Sequence, residues 1–229
     1  SLVFRELLVQ NLNKDPAIEV VAVEKDPFEA RDAILKYRPD VMTLDVELPR
    51  MNGIEFLRKL MPQYPIPVVV ISALSDKVFE ALNAGAVDFV AKPVSTGRAQ
   101  IEDFIHNELS EKVKIASNVK TSNIKKTAIL QTAQQPMQLK DNNLIVAIGA
   151  STGGTEAIFS VVKDFGQDIP GVVIVQHMPP GFTEMYAKRL DSQCRVKVKE
   201  ACTGDRVMRG QVLIAPGGDR HMRLVKVNG

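Results

Sequence analysis

The chain has almost no charge imbalance: 29 lysines and arginines against 27 aspartates and glutamates leave a formal +2. So small a surplus gives no electrostatic footprint for nucleic acid, and the lysines that cluster between Lys112 and Lys126 read as a solvated helix end and a linker. Cysteine is nearly absent too. Cys194 and Cys202 form no Cys-x-x-Cys pair and have no histidine near them in sequence, so reduced thiols are expected and no metal site is implied. No apolar run reaches membrane-spanning length, and no signal segment, internal repeat or low-complexity tract is visible, so the expectation is a cytoplasmic protein not embedded in a membrane. What is present is ordinary globular material, 45% hydrophobic and 24% charged, with a mean hydropathy of −0.02. At 229 residues there is room for two domains of modest size.

One stretch organises the rest. Leu144-Ile-Val-Ala-Ile-Gly-Ala-Ser-Thr-Gly-Gly154 is an apolar run that stops at a serine and a pair of glycines. It reads as a buried strand, a sharp turn carrying Ser151, and a helix starting near Thr155. A hydroxyl there sits where unpaired helix N–H groups and the helix dipole favour developing negative charge. Such turns also cradle phosphates or simply reverse the chain, and Gly-x-Ser-x-Gly is a short pattern with many chance matches, so both readings stand at this point.

Taken in order, the chain opens with helical spacing over residues 1–12, followed by a strand at Glu19–Val23. Then come a helix over Pro27–Tyr37, a strand at Asp40–Leu44, a helix over Gly53–Met61 and a strand at Pro67–Ser72. A helix over Lys77–Asn83, a strand at Asp88–Ala91 and a helix over Gln100–Leu109 complete the first domain, residues 1–115. Residues 116–141, polar and aperiodic, read as a linker. The second domain, 142–229, continues with helices near Thr155–Lys163 and from Thr183, strands at Gly171–Val175 and Val196–Lys199, and hairpin-like strands at Gln211–Ile214 and His221–Val227. The expected class is α/β, with parallel sheets wrapped by helices. Both ends read as cut, because a helix opens the first domain where a strand normally does, and Asn228-Gly229, a hairpin signal, has no return strand. Losing a central strand with about four buried aliphatics would forfeit on the order of 6–12 kcal/mol, so the first domain is expected to be poorly stable alone.

Open parallel sheets place chemistry beyond the carboxyl ends of their strands. Asp45 falls there and could attack a phosphoryl group; Ser72, ending the next strand, can donate to a phosphoryl oxygen; Lys92 supplies positive charge for a charge-rich transition state. Each alone has a dull explanation as a cap, a local hydrogen bond or a solvated charge. Together, Asp45-Val-Glu-Leu-Pro-Arg-Met-Asn-Gly53, Ser72 and Lys92-Pro93 resemble the receiver domain of bacterial response regulators, a flavodoxin-like fold with helices on both faces of a parallel sheet. The resemblance implies Asp45 as phosphoacceptor, Ser72, Phe89 and Lys92 as switch residues, and a cis Lys92–Pro93 bond. It also implies Mg²⁺ held by Asp45 and the backbone carbonyl of Glu47, although the acidic pair that receivers carry after their first strand is absent here.

His177 follows the strand Val172–Val175 with one residue between, so it is expected beside Ser151 at a second sheet edge, as base to nucleophile. The aspartates between the two residues, Asp164 and Asp168, fall at a helix end and loop, which argues against the usual α/β-hydrolase order. Gly149-Ala-Ser-Thr-Gly-Gly-Thr155, Gln176-His-Met-Pro179, Ile214-Ala-Pro-Gly217 and His221-Met222 resemble the catalytic domain of chemotaxis protein-glutamate methylesterases, a doubly wound α/β domain. A receiver, a linker and this domain in that order is that family's arrangement.

The resemblance implies hydrolysis of glutamyl methyl esters on chemoreceptor cytoplasmic domains, with deamidation of receptor glutamines as a companion activity, a histidine kinase as phosphodonor and a monomeric protein. Ser151 would be the nucleophile, His177 the base, and backbone N–H groups near Thr152 oxyanion donors, with no cofactor for the esterase. The family's triad aspartate lies further along than this chain reaches, and Asp191, Asp205 and Asp219 do not match its motif. Removing that acid can cost ~10⁴ in rate, so this stretch by itself is expected to be inactive. His221 and His106 read as structural and surface residues. The leading expectation is an esterase whose receiver covers the crevice until Asp45 chemistry shifts the balance. The alternative is a response regulator with a non-enzymatic phosphate- or nucleotide-binding output domain. A transcriptional regulator is disfavoured, since no helix-turn-helix pattern follows the linker.

Overall fold

The computed structural model describes residues 2–48, 50–73, 75–93, 97–119 and 144–226. The chain divides into two compact units, Ser1–Ile129 and Leu130–Gly229, so the expected linker lies, from residue 120 on, outside the described residues.

The first unit runs α1 (Leu2–Leu12), α2 (Pro27–Tyr37), β1 (Met42–Asp45), α3 (Gly53–Leu60), β2 (Val68–Ser72), α4 (Ser75–Asn83), β3 (Asp88–Ala91), α5 (Arg98–Phe104), a π-helical turn (Ile105–Leu109) and α6 (Ser110–Ser117). The strands form a parallel sheet in the order β1-β2-β3. β2 is buried at every position, as a central strand covered on both faces must be. Its residues alternate: Val69 and Ile71 join a core with Leu7 and Leu12 of α1 and Ile101, Ile105, Leu109, Val113 and Ala116 of the last helix.

That last helix overruns its expected end at Leu109 and continues to Ser117. The π turn explains the continuity. Both the backbone N–H and the hydroxyl of Ser110 donate to the Ile105 carbonyl, the latter at 2.7 Å, so the chain absorbs one extra residue without breaking. Lys112, expected in a solvated helix end, is buried at 7% exposure. Its ammonium donates to Asp88 Oδ1 at 3.1 Å and to the Phe89 carbonyl at 2.7 Å, which is what lets a charge enter the core.

The strand expected at Glu19–Val23 does not form. Residues 18–24 carry no regular secondary structure and join no sheet among the described residues. A cleft of about 950 Å³ is lined by Ile18, Val20 and Ala22 together with Met42 and Leu44 of β1. No cis peptide bond occurs among the described residues, so Lys92–Pro93 is trans, contrary to what the resemblance implied.

The second unit contains β4 (Ile145–Ala150), α7 (Gly154–Val162), β5 (Gly171–Gln176), α8 (Phe182–Gln193), β6 (Lys197–Glu200) and β7 (Gln211–Ile214). The sheet is parallel throughout, in the order β4-β5-β7-β6. β7 is therefore not half of a hairpin, and residues 221–226 form no strand, because they pair with no neighbour among the described residues. β4, expected to be buried, alternates between exposed and half-buried positions because it pairs with β5 on one side only among the described residues. The core instead gathers around β5 and β7, where Val172, Ile174, Val212 and Ile214 have no exposure; Tyr186 and Leu190 of α8 are likewise fully buried. The Tyr186 hydroxyl, whose pKa burial pushes up, donates to the Thr155 carbonyl at 2.7 Å and ties α8 to the first turn of α7.

Candidate functional site

Two sets of polar residues stand at the carboxyl rims of the two parallel sheets, where strand ends leave backbone and side chains open to a ligand. In the first unit Asp45 ends β1. One carboxylate oxygen accepts the Lys92 ammonium at 2.8 Å, and the other accepts the Glu47 N–H at 3.0 Å. Ser72 ends β2 one position beyond the Ile71 that pairs with Asp45, and its carbonyl accepts the Lys92 N–H at 2.9 Å. The structure thus brings Asp45, Ser72 and Lys92 to one rim. Lys92 also stands 4.9 Å from the centroid of the Phe4 ring, a second favourable contact for the ammonium.

Phe89 is buried at 2% within β3, with the Lys112 ammonium 5.3 Å from its ring centroid. Asp26 caps α2, accepting from the Phe28 and Glu29 N–H groups, and receives Arg50 from the β1–α3 loop at 3.1 Å. As to Mg²⁺, the Asp45 carboxylate and the Glu47 carbonyl are hard oxygen donors, a fit for a cation that binds through one or two carboxylates and keeps several waters. No group of three or more histidine, cysteine, aspartate or glutamate side chains that could hold a metal exists among the described residues.

In the second unit β4 and β5 run in register to Ala150 and Gln176, and the His177 N–H makes one last bond to the Ala150 carbonyl at 3.1 Å. Ser151 and His177 therefore occupy neighbouring positions on adjacent strand ends, and both side chains are exposed. No hydrogen bond joins the Ser151 hydroxyl to the His177 imidazole among the described residues; such contacts often tighten only when substrate is bound.

The turn between Ser151 and α7 is closed by the Gly154 N–H donating to the Ser151 carbonyl at 2.7 Å. It needs both glycines. Gly153 has φ +75, a left-handed conformation that a side chain would strain, and a Cβ on Gly154 would stand 2.1 Å from Gln176 Oε1. Thr152 is half-buried within this turn, next to the amino end of α7.

Sequence reasoning passed over Gln176 and Thr183. Gln176, 6% exposed, donates from Nε2 to the carbonyls of Ser151 at 2.9 Å and His177 at 3.2 Å. Thr183 has no exposure; its hydroxyl donates to Glu200 at the end of β6 and accepts the Gly217 N–H at 2.9 Å, fastening the loop after β7 to α8. The signal for Gln176 was a lone amide closing an otherwise apolar strand. His221 and His106 are exposed. Asp191 accepts the Val198 N–H, and Asp205 pairs with Lys199 and the Cys202 N–H, so both carboxylates are engaged locally.

Known proteins match both units. The family described as response regulator receiver domain matches residues 1–103, and the family described as CheB methylesterase matches residues 146–228. The protein-glutamate methylesterase/protein-glutamine glutaminase 2 of Syntrophomonas wolfei is 57% identical over the whole chain, which covers 66% of it. The corresponding protein of Syntrophotalea carbinolica is 49% identical, again over the whole chain, which covers 67% of it. The response regulator domain of Thermotoga maritima CheB, a solved structure, is 36% identical over 52% of this chain and 92% of its own, with a TM-score of 0.47. The chain spans about two thirds of the length of the curated relatives it matches. Identity sustained from end to end places it: this chain, with a receiver match followed by a CheB methylesterase match, belongs to the family of protein-glutamate methylesterases/protein-glutamine glutaminases.

Proposed function

We propose that the protein is a phosphorylation-regulated hydrolase that removes methyl esters from glutamate side chains of chemoreceptors in the cytoplasm and deamidates receptor glutamines. The observation that carries this reading is the placement of Ser151 and His177 on adjacent parallel strand ends, one position past the last paired residues. Ser151 Oγ attacks the side-chain carbonyl while His177 takes its proton. The oxyanion collects charge beside the backbone N–H groups near Thr152 and the amino end of α7, and His177 returns the proton to departing methanol or ammonia. Water, deprotonated by the same imidazole, then releases the glutamate and regenerates the serine. The names of the relatives support this reading over a phosphate-binding output module, for which no observation speaks.

Control belongs to the first rim. Asp45 accepts a phosphoryl group from a histidine kinase, breaking the donor's P–N bond and forming an aspartyl phosphate. Lys92, already 2.8 Å from Asp45, neutralises the incoming oxygens, Ser72 donates to one of them, and Phe89, inside β3, passes the change to that strand. Mg²⁺, when bound, would be held by the Asp45 carboxylate and the Glu47 carbonyl and would spread the phosphoryl charge.

The test is methanol release from methylated receptor membranes by the full-length protein, with and without acetyl phosphate, beside its Asp45→Asn variant. Release that the phosphodonor raises in the parent but not in the variant is expected. Absence of release under every condition would overturn the reading.

A further inference from the structure

β4 and β5 part company just where the chemistry begins. The last rung between them is the His177 N–H to Ala150 carbonyl bond, and no backbone hydrogen bond joins Ser151 to His177 beyond it. In place of the missing rungs stands one side chain. The Gln176 amide nitrogen spends both of its hydrogens on this gap, one on the Ser151 carbonyl at 2.9 Å and one on the His177 carbonyl at 3.2 Å.

The orientation of the amide is dictated by chemistry. Turned over, its oxygen would face two carbonyl oxygens at those same distances, a repulsive arrangement, so nitrogen must lie on the rim side. The oxygen is left buried without a hydrogen-bond partner against Gly154, the residue whose missing Cβ makes room for it. A buried amide that leaves its own acceptor unsatisfied gives up stability, which a residue kept only for packing would have no reason to do.

We propose that Gln176 is a positioning residue for the hydrolytic step, holding the backbones of Ser151 and His177 at a fixed separation through its two amide hydrogens. This rests on the reading of Ser151 and His177 as nucleophile and base. Gln176 touches no substrate; it acts through the two residues it ties. The Ser151 carbonyl, gripped by Gln176 and by the Gly154 N–H, cannot rotate, and the hydroxyl on the same residue inherits that constraint. Displacements of about 1 Å at reacting atoms can cost ~10²-fold, so a loosened pair should lose turnover rather than substrate affinity.

The experiment compares full-length parent, Gln176→Met, Gln176→Glu and Ser151→Ala for methanol release from methylated receptor membranes, with kcat and KM separated between pH 6 and 8.5 and a melt of each protein. Methionine keeps the volume and removes both donors; it should lower kcat about 10–100-fold with KM within about twofold and with a cooperative melt retained. Glutamate should be equally impaired at high pH, where its oxygens face two carbonyls, and should recover relative to parent as pH falls, because a protonated carboxyl donates one of the two bonds. A Gln176→Met enzyme with parental kcat, alongside an inactive Ser151→Ala, would overturn the positioning role while leaving the esterase reading intact. Parental release by Ser151→Ala would overturn both. Should Gln176→Met lose its cooperative melt, the Gln176→Glu profile decides, and a ratio to parent that does not change with pH refutes the proposal.

Discussion

Replacing Lys112 with methionine should cost the receiver unit far more than a lysine near a helix end normally would. The ammonium sits 3.1 Å from Asp88 Oδ1, with side-chain exposures of 9% and 7%, so little water is available to either charge. Its second bond, 2.7 Å to the Phe89 carbonyl, satisfies an acceptor within β3. Methionine matches the stem but leaves the Asp88 carboxylate without its cation, held only by the Phe89 N–H at 2.7 Å on Oδ1, while the other oxygen has no partner among the described residues. Removing one member of such a buried pair typically costs ~3–5 kcal/mol, whereas replacing both by apolar groups is close to neutral. For a unit of this size that corresponds to a fall on the order of 10–20 °C in its calorimetric transition. Scanning calorimetry of the full-length protein, following the receiver transition, should show that fall for Lys112→Met and recovery of most of it when Asp88→Leu is added. The coupling in that cycle should exceed about 2 kcal/mol. A Lys112→Met shift of only about 3 °C, or a double variant worse than the sum of the singles, would refute the reasoning.

Tyr186→Phe removes the hydroxyl that donates to the Thr155 carbonyl in the first turn of α7 and should destabilise the catalytic unit by about 1–3 kcal/mol in urea unfolding. In the receiver, the Lys114 ammonium and then the Ala17 N–H hold Asp15 below its ordinary value of 3.8. A depressed carboxyl stabilises the fold above its unfolded pKa and loses that contribution as pH falls through the folded one. Asp15→Asn should therefore flatten the decline of the melting temperature in that acid range, measured against parent across pH 2–5; an unchanged profile would show the contact to be idle.

Sequence carried the rims because a buried parallel strand announces its own end. The apolar runs before Asp45, Ser72, Ser151 and Gln176-His177 each stop at a polar residue, and the structure ends β1, β2, β4 and β5 within a residue of those points. It failed where an element depends on a partner. Glu19–Val23 and His221–Val227 have strand-like composition, but a strand exists only with a ladder, and the described residues offer neither segment one. Sequence alone ends the last receiver helix at Leu109, although Ile105, Leu109, Val113 and Ala116 continue an apolar stripe across the π turn. Lys112 falls within that stripe, and nothing local says that Asp88, far back in the chain, waits for it. Gln176 was legible as an odd residue and not as a tie, because its two acceptors belong to different strand ends and meet only in three dimensions.

The most direct test of the whole account is the initial rate of methanol release from methylated receptor membranes by full-length Ser151→Ala relative to parent. If Ser151 is the nucleophile, the rate should fall by at least ~10³-fold with no change in the melt, since a missing nucleophile leaves only what binding and the oxyanion site supply. A variant within about tenfold of parent would place the chemistry elsewhere and contradict the account.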